Sequence, residues 1–236
     1  MAIFSLTGNA RGLFLPQNYL MYPAGNLLIP VPHGQLEAIL KEPKDSAIRG
    51  VALVCHPHPL GGGTMHNKVV FRASAGLIDA GLVTLRFNFR SVGASTGIHD
   101  DGLGEKEDVL AALDYLSETY PNQEITLAGF SFGSRVGMEI GMGDNRVVRL
   151  ISIGTPVDKY NYEFIKMVKK PILFVHGDHD EFGAVAPLRA LVKFLPPAAE
   201  AKLVVFENCG HFFDEHLNEL RKTIQDWTDE QISRNN

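Results

Sequence analysis

A chain of 236 residues with 45% hydrophobic and 21% charged residues can bury a substantial core, and it holds no run of about 18 apolar residues that would cross a bilayer. Its formal charge of -5, with no basic block, gives no electrostatic footprint for nucleic acid or an anionic membrane surface. Two cysteines, Cys55 and Cys209, are too few for a disulfide framework, and Met1-Ala2-Ile3-Phe4-Ser5-Leu6 lacks the basic lead-in of a secretory signal, so a cytoplasmic location is expected.

Residues 1 to 25 read as an N-terminal extension whose Leu13-Phe14-Leu15 and Tyr19-Leu20-Met21-Tyr22 clusters suit extending a sheet or covering a partner. Asn26 to Val31 and Leu36 to Lys41 then flank Pro32-His33-Gly34-Gln35 as an antiparallel hairpin. Val51-Ala52-Leu53-Val54-Cys55 has the unbroken apolar character of a strand buried on both faces. A helix over residues 66 to 80 is stopped by Gly81 and followed by a strand from Leu82 to Phe87. Asp101 to Tyr120 reads as a long amphipathic helix that Pro121 ends, with Glu105, Glu107 and Asp108 placed for its positive pole. After Ile125-Thr126-Leu127-Ala128 and a helix from Phe132, strands are expected at Val148 to Ile153, Ile172 to Val175 and Leu203 to Phe206. Helices are expected near 184 to 195 and 212 to 231. Strands alternating with helices predict a mostly parallel sheet covered on both faces, and no repeat, low-complexity tract or linker divides residues 1 to 236 into more than one domain.

Gly129-Phe130-Ser131-Phe132-Gly133 lies where the Ile125 run gives way to a helix, which is the context of a nucleophile elbow. A serine on so tight a turn needs small residues two positions before and after it, and Gly129 and Gly133 supply them. A serine hydroxyl is a poor nucleophile until a base takes its proton, so a histidine and an orienting carboxylate are required as well. Both follow in the chain: His176-Gly177-Asp178-His179-Asp180 after one strand, and Asn208-Cys209-Gly210-His211 after the next. In a parallel sheet these segments emerge at the same carboxyl edge as Ser131. The order Ser, Asp, His points to Ser131 and His211, with Asp178 and Asp180 both open as the acid.

Over about residues 26 to 230 these motifs resemble the α/β-hydrolases, in particular the small cap-less bacterial hydrolases related to dienelactone hydrolase. His56-Pro57-His58-Pro59 with Gly61-Gly62-Gly63 stands where that family carries its oxyanion loop. Asn88-Phe89-Arg90-Ser91-Val92-Gly93-Ala94-Ser95 is similar to the family's D-x-R-G-x-G-x-S loop, with Asn for Asp and Ser91 for the first Gly. The resemblance implies an α/β-hydrolase fold with a mostly parallel sheet of about eight strands and no cap domain. It implies Asp180 as the triad acid, and backbone N–H donors for an oxyanion at Phe132 and His58. Pro57 and Pro59 have no N–H, which by itself leaves His58 or Leu60. A serine at the elbow in place of the family's cysteine favours ordinary ester hydrolysis over lactone chemistry.

The resulting expectation is a serine carboxylesterase acting on small or short-chain esters without cofactor or metal. The interval from Gly154 to Lys170 is too short for a cap, so the cleft should be open beside Phe132 and Phe212. The rivals are a thioesterase or peptidase with the same triad, and a catalytically silent binding protein. His56, His58, His176 and His179 raise a metal reading, but no metal-ligand spacing supports it. Cys209 reads as a small buried residue. Lys68, Arg72, Arg86 and Arg90 read as surface or structurally paired charge ahead of a pocket for a substrate carboxylate. Oligomeric state is not specified by these patterns.

Overall fold

Strand side chains point alternately to the two faces of a sheet, so a strand that is apolar at every position must be covered on both. In the computed structural model, which describes residues 25–44 and 47–234, this is how the central strands are built. In β3 (Gly50–Cys55), Val51, Leu53 and Cys55 face one layer while Ala52 and Val54 face the other. The first layer holds helices α2 (Leu103–Thr119), α3 (Phe132–Gly143) and α4 (Val185–Lys193), and the second holds α1 (Lys68–Asp79) and α5 (Leu217–Arg234). The Leu13 and Tyr19 clusters lie outside the described residues.

The sheet has eight strands in the order β1-β2-β4-β3-β5-β6-β7-β8. β1 (Leu27–Val31) and β2 (Gly34–Lys41) form the expected hairpin, closed by a tighter turn than the sequence suggests, since Val31 already pairs with Gly34. β2 runs antiparallel to β4 (Leu82–Phe87), and from β4 through β3 to β5 (Ile125–Phe130), β6 (Val147–Ile153), β7 (Ile172–Gly177) and β8 (Lys202–Phe206) every pairing is parallel. Only a short 3-10 turn, Glu163–Met167, interrupts the passage from β6 to β7, and no cap domain is inserted there.

Two helix starts differ from expectation for local reasons. α2 begins at Leu103, so of the three acids only Glu105 lies in its first turn, where its carboxylate accepts from the N–H groups of Gly102 and Asp100. Asp108 and Glu107 are instead taken by Arg90. α5 begins at Leu217 rather than near 212, because Phe213 turns through φ 54° to bury its ring against Phe206. Among the described residues no helix is long and apolar enough to cross a membrane.

Trp227 of α5 is fully buried in the layer shared with α1. Trp227→Ala is expected to cost about 3–5 kcal/mol of stability by leaving a cavity that this packed layer cannot fill. A lowered urea midpoint with an unchanged m value would report it.

Candidate active site

β5 delivers Ser131 into a turn with φ 54° and ψ -121°, a conformation that side chains disfavour. Two close approaches make the turn possible. A Cβ on Gly129 would stand 2.4 Å from the Gly133 carbonyl oxygen, and one on Gly133 would stand 2.4 Å from that of His56. The strain is held by bonds from the Ser131 N–H to the Ile153 carbonyl at 2.9 Å and from the Ser134 hydroxyl to the Ser131 carbonyl at 2.7 Å. α3 starts at the next residue, so the Phe132 N–H belongs to a first turn without intrahelical acceptors.

The loops after β7 and β8 bring the other two side chains to the same edge. His211 Nε2 lies 2.9 Å from Ser131 Oγ, and His211 Nδ1 lies 2.8 Å from Asp180 Oδ2. The Phe182 N–H donates to the other oxygen of Asp180 at 2.9 Å, so the carboxylate cannot rotate freely. Aromatic rings hold the imidazole from several sides, with centroids at 4.6 Å for Phe182 and 4.8 Å for Phe130. Asp178 has a different task. It accepts from the Cys209 N–H at 3.0 Å, which holds its carboxyl below the usual aspartate range and ties the His211 loop to the end of β7.

The loop from His56 to Met65 forms the opposite wall. His56 is fully buried, with Nδ1–H donating to the Pro57 carbonyl at 2.6 Å and Nε2 accepting from the Phe89 N–H at 2.9 Å. Burial pushes its pKa down to about 3. No pattern in the sequence signals this role, since a histidine beside a loop of glycines reads equally well as a ligand. His176 is a second such strap: it donates to the Gly183 carbonyl at 2.6 Å, and burial lowers its pKa as well. Among the described residues no group of three or more His, Cys, Asp or Glu side chains is arranged to hold a metal ion. The Leu60 N–H is spent on His58 Nδ1 at 3.2 Å, whereas the His58 N–H has no acceptor among the described residues.

Between these walls lies a cleft of about 600 Å3. It is lined by Ser131, His211 and His58 and by the rings of Phe132, Tyr160, Phe182 and Phe212. Cys209 is buried nearby, and burial pushes its thiol up to about 11, which keeps it protonated and unreactive.

A family model described as an alpha/beta hydrolase domain matches residues 51–233. The chain belongs to the alpha/beta hydrolase family. A solved alpha-beta serine hydrolase homologue from Coxiella burnetii is 38% identical, with a TM-score of 0.80 over 87% of this chain and 98% of that one. A serine hydrolase without lid from Xanthomonas campestris is 31% identical, with a TM-score of 0.81 over 89% and 96%. A curated relative from Rickettsia prowazekii is 36% identical over 75% of this chain and 77% of its own length.

Two departures from the alpha/beta hydrolase loop pattern have physical accounts. Asn88 donates to Glu37 Oε2 at 2.8 Å and accepts from the Met65 N–H at 2.8 Å, whereas an aspartate there would face the Glu37 carboxylate. Ser91 takes φ 68°, the left-handed conformation that explains a glycine in the family pattern. The four cations do not converge on one carboxylate site. Lys68 pairs with Asp214, Arg90 with Asp108 and Glu107, Arg86 donates to the Met65 carbonyl, and Arg72 lies over the Phe71 ring.

Gly154, with φ 53°, stands where an added Cβ would come within 3.1 Å of His211 Cε1. Gly154→Ala should therefore lower turnover by displacing the imidazole and cost about 1–2 kcal/mol in stability, read from kinetics and urea unfolding. His56 gives a pH-dependent outcome. The folded chain keeps it neutral down to about pH 3, whereas the unfolded chain protonates it near the ordinary 6.5. The unfolded state thus binds more protons across that window, and stability falls as pH falls through it. Between pH 6.5 and 5 the loss from His56 is about 2 kcal/mol, with His176 adding in the same direction. Urea unfolding at the two pH values should show it, and His56→Gln should flatten the dependence.

Proposed function

We propose that this alpha/beta hydrolase is a serine carboxylesterase that cleaves small or short-chain esters through an acyl-enzyme, with Ser131 as nucleophile, His211 as base and Asp180 as orienting acid. The observation that carries the reading is the continuous line from Asp180 Oδ2 through His211 to Ser131 Oγ, with separations of 2.8 and 2.9 Å. Ser131 Oγ attacks the ester carbonyl carbon while its proton passes to His211 Nε2. The negative charge developing on the carbonyl oxygen is met by the N–H groups of Phe132 and His58, and the Asp180 carboxylate stabilises the imidazolium without taking its proton. The tetrahedral intermediate collapses, the C–O bond to the alcohol breaks, and His211 returns its proton to that oxygen. Water, activated by the same imidazole, then releases the acid and restores Ser131.

The aromatic cleft of about 600 Å3 supports substrates of small-molecule size, and the lack of a cap leaves it open at the sheet edge. The reading uses no cofactor and no metal. The reducing cytosol suits two buried, unpaired cysteines.

Ser131→Ala and His211→Ala should each lower kcat on a short-chain aryl ester by about a million-fold, and the double variant should be little worse. Additive losses would mean that the two side chains do not act as a unit. A fluorophosphonate probe should label Ser131 in the folded protein and fail on Ser131→Ala; no labelling of the wild type would sink the proposal. Comparing ester, thioester and amide substrates under one set of conditions assigns the bond cleaved. Turnover should also decline on acidification, because a protonated imidazole cannot accept the serine proton. His58→Pro tests the second oxyanion donor: φ of -52° accommodates proline, so the variant deletes the N–H with little change in backbone. It should reduce kcat by about 100- to 1000-fold, while His58→Ala, which keeps the N–H, should not.

A further inference from the structure

On the face of the sheet covered by α1 and α5, a pocket of about 240 Å3 opens beside the edge of α1. It shares no lining residue with the cleft. Lys41 of β2, Arg86 of β4 and Arg221 of α5 converge on it, with Phe71, Ser74 and Asp79 of α1 completing its wall. The register explains the convergence. Ile39 pairs with Arg86 and Lys41 with Thr84, so Lys41 and Arg86 are diagonal neighbours on one face of the β2–β4 ladder.

The charges in this pocket are not balanced. Asp79 is the acid in the lining, and Arg221 holds it through two bonds, one of 2.8 Å. Lys41 has no acidic partner among the described residues. Arg86 is 4% exposed, yet its hydrogen-bond acceptor is a neutral one, the Met65 carbonyl at 2.8 Å, with the Phe71 ring 5.4 Å away. Other buried guanidiniums in this protein are provided for differently: Arg90 is held by Asp108 and Glu107, and Arg149 by Glu124. A buried cation without a counter-charge is costly, and burial depresses the Arg86 pKa with no acid opposing it.

We infer that this pocket is a second ligand site, which takes a small phosphate dianion, free or as the monoester of a short organic group. Lys41 and Arg86 supply two positive charges that no carboxylate among the described residues answers, which matches a dianion better than a single carboxylate. A guanidinium fork suits tetrahedral oxyanions in particular. The volume accommodates a phosphate with a few carbons, and Phe71, 45% exposed, offers those carbons an apolar wall.

The test is thermal unfolding of the full chain at pH 8 while inorganic phosphate is titrated at constant ionic strength against chloride. Phosphate should raise Tm saturably, by roughly 5–10 °C at a hundred times Kd. Lys41 is the residue to vary, because Arg86 also holds the Met65 loop. Lys41→Ala should weaken the apparent Kd about tenfold or more, and Lys41→Glu, which supplies the missing carboxylate from within, should abolish the response. Repeating the titration with glycerol phosphate distinguishes the sources: tighter binding than phosphate identifies a monoester ligand, and equal or weaker binding identifies the free ion. An equal response in wild type and both Lys41 variants, a shift that never saturates, or the same shift with chloride alone would overturn the inference.

Discussion

At the carboxyl end of β5 the backbone of Ser131 is forced into φ 54° and ψ -121°, and the neighbouring structure is organised around keeping it there. Such a conformation costs about 1–3 kcal/mol and persists only where the surroundings over-determine it. Here they do so by proximity. Gly129 and Gly133 let the elbow press against its own helix and against the His56 carbonyl, while bonds to Ile153 and Ser134 fix the serine peptide. The hydroxyl is thereby placed at the start of α3, where the Phe132 N–H has no acceptor among the described residues. Relaxing the turn would move both the Ser131 hydroxyl and the Phe132 N–H from their places at the cleft.

Around that fixed point the same residue type does different work according to its surroundings. His211, between Asp180 and Ser131, keeps one ring nitrogen facing the cleft. His56 and His176 are buried, which lowers the pKa of both, and each braces a loop through a backbone carbonyl. His58 turns its ring nitrogen onto Leu60, and its own N–H faces no protein acceptor among the described residues. Asp178 and Asp180 divide in the same way, one accepting from the Cys209 backbone and the other from the imidazole. Burial and hydrogen-bond partners, rather than residue identity, separate the side chains that brace loops from those that face the cleft here.

Much of this was legible in the sequence because its signals are local or periodic. Unbroken apolar runs such as Val51 to Cys55 declare a strand covered on both faces, and the Gly129 to Gly133 pentapeptide declares the turn that such a strand must make. The order Ser, Asp, His follows from which strands Ser131, the Asp178–Asp180 turn and His211 terminate, although the choice between the two aspartates does not. Less visible were matters that depend on partners distant in sequence. Glu105, rather than Asp108, capping α2 depends on Arg90 having claimed Asp108, and the late start of α5 depends on Phe206 receiving the ring of Phe213. The strap formed by His56 requires the Phe89 N–H, 33 residues away.

The sequence alone determined the layered α/β architecture, the elbow and the identity of its serine, because hydrophobic period, glycine placement and strand order act over a few residues or along the whole chain in a single sense. Tertiary structure decided which of two neighbouring aspartates meets the imidazole and, among the described residues, which loop N–H meets no acceptor and which buried cation meets no acid. Those outcomes turn on hydrogen bonds of 2.8 to 3.0 Å between segments dozens of residues apart, and no one-dimensional pattern encodes such distances. They emerge only when the sheet brings its loop-bearing edges together and each polar group takes the partner left within reach.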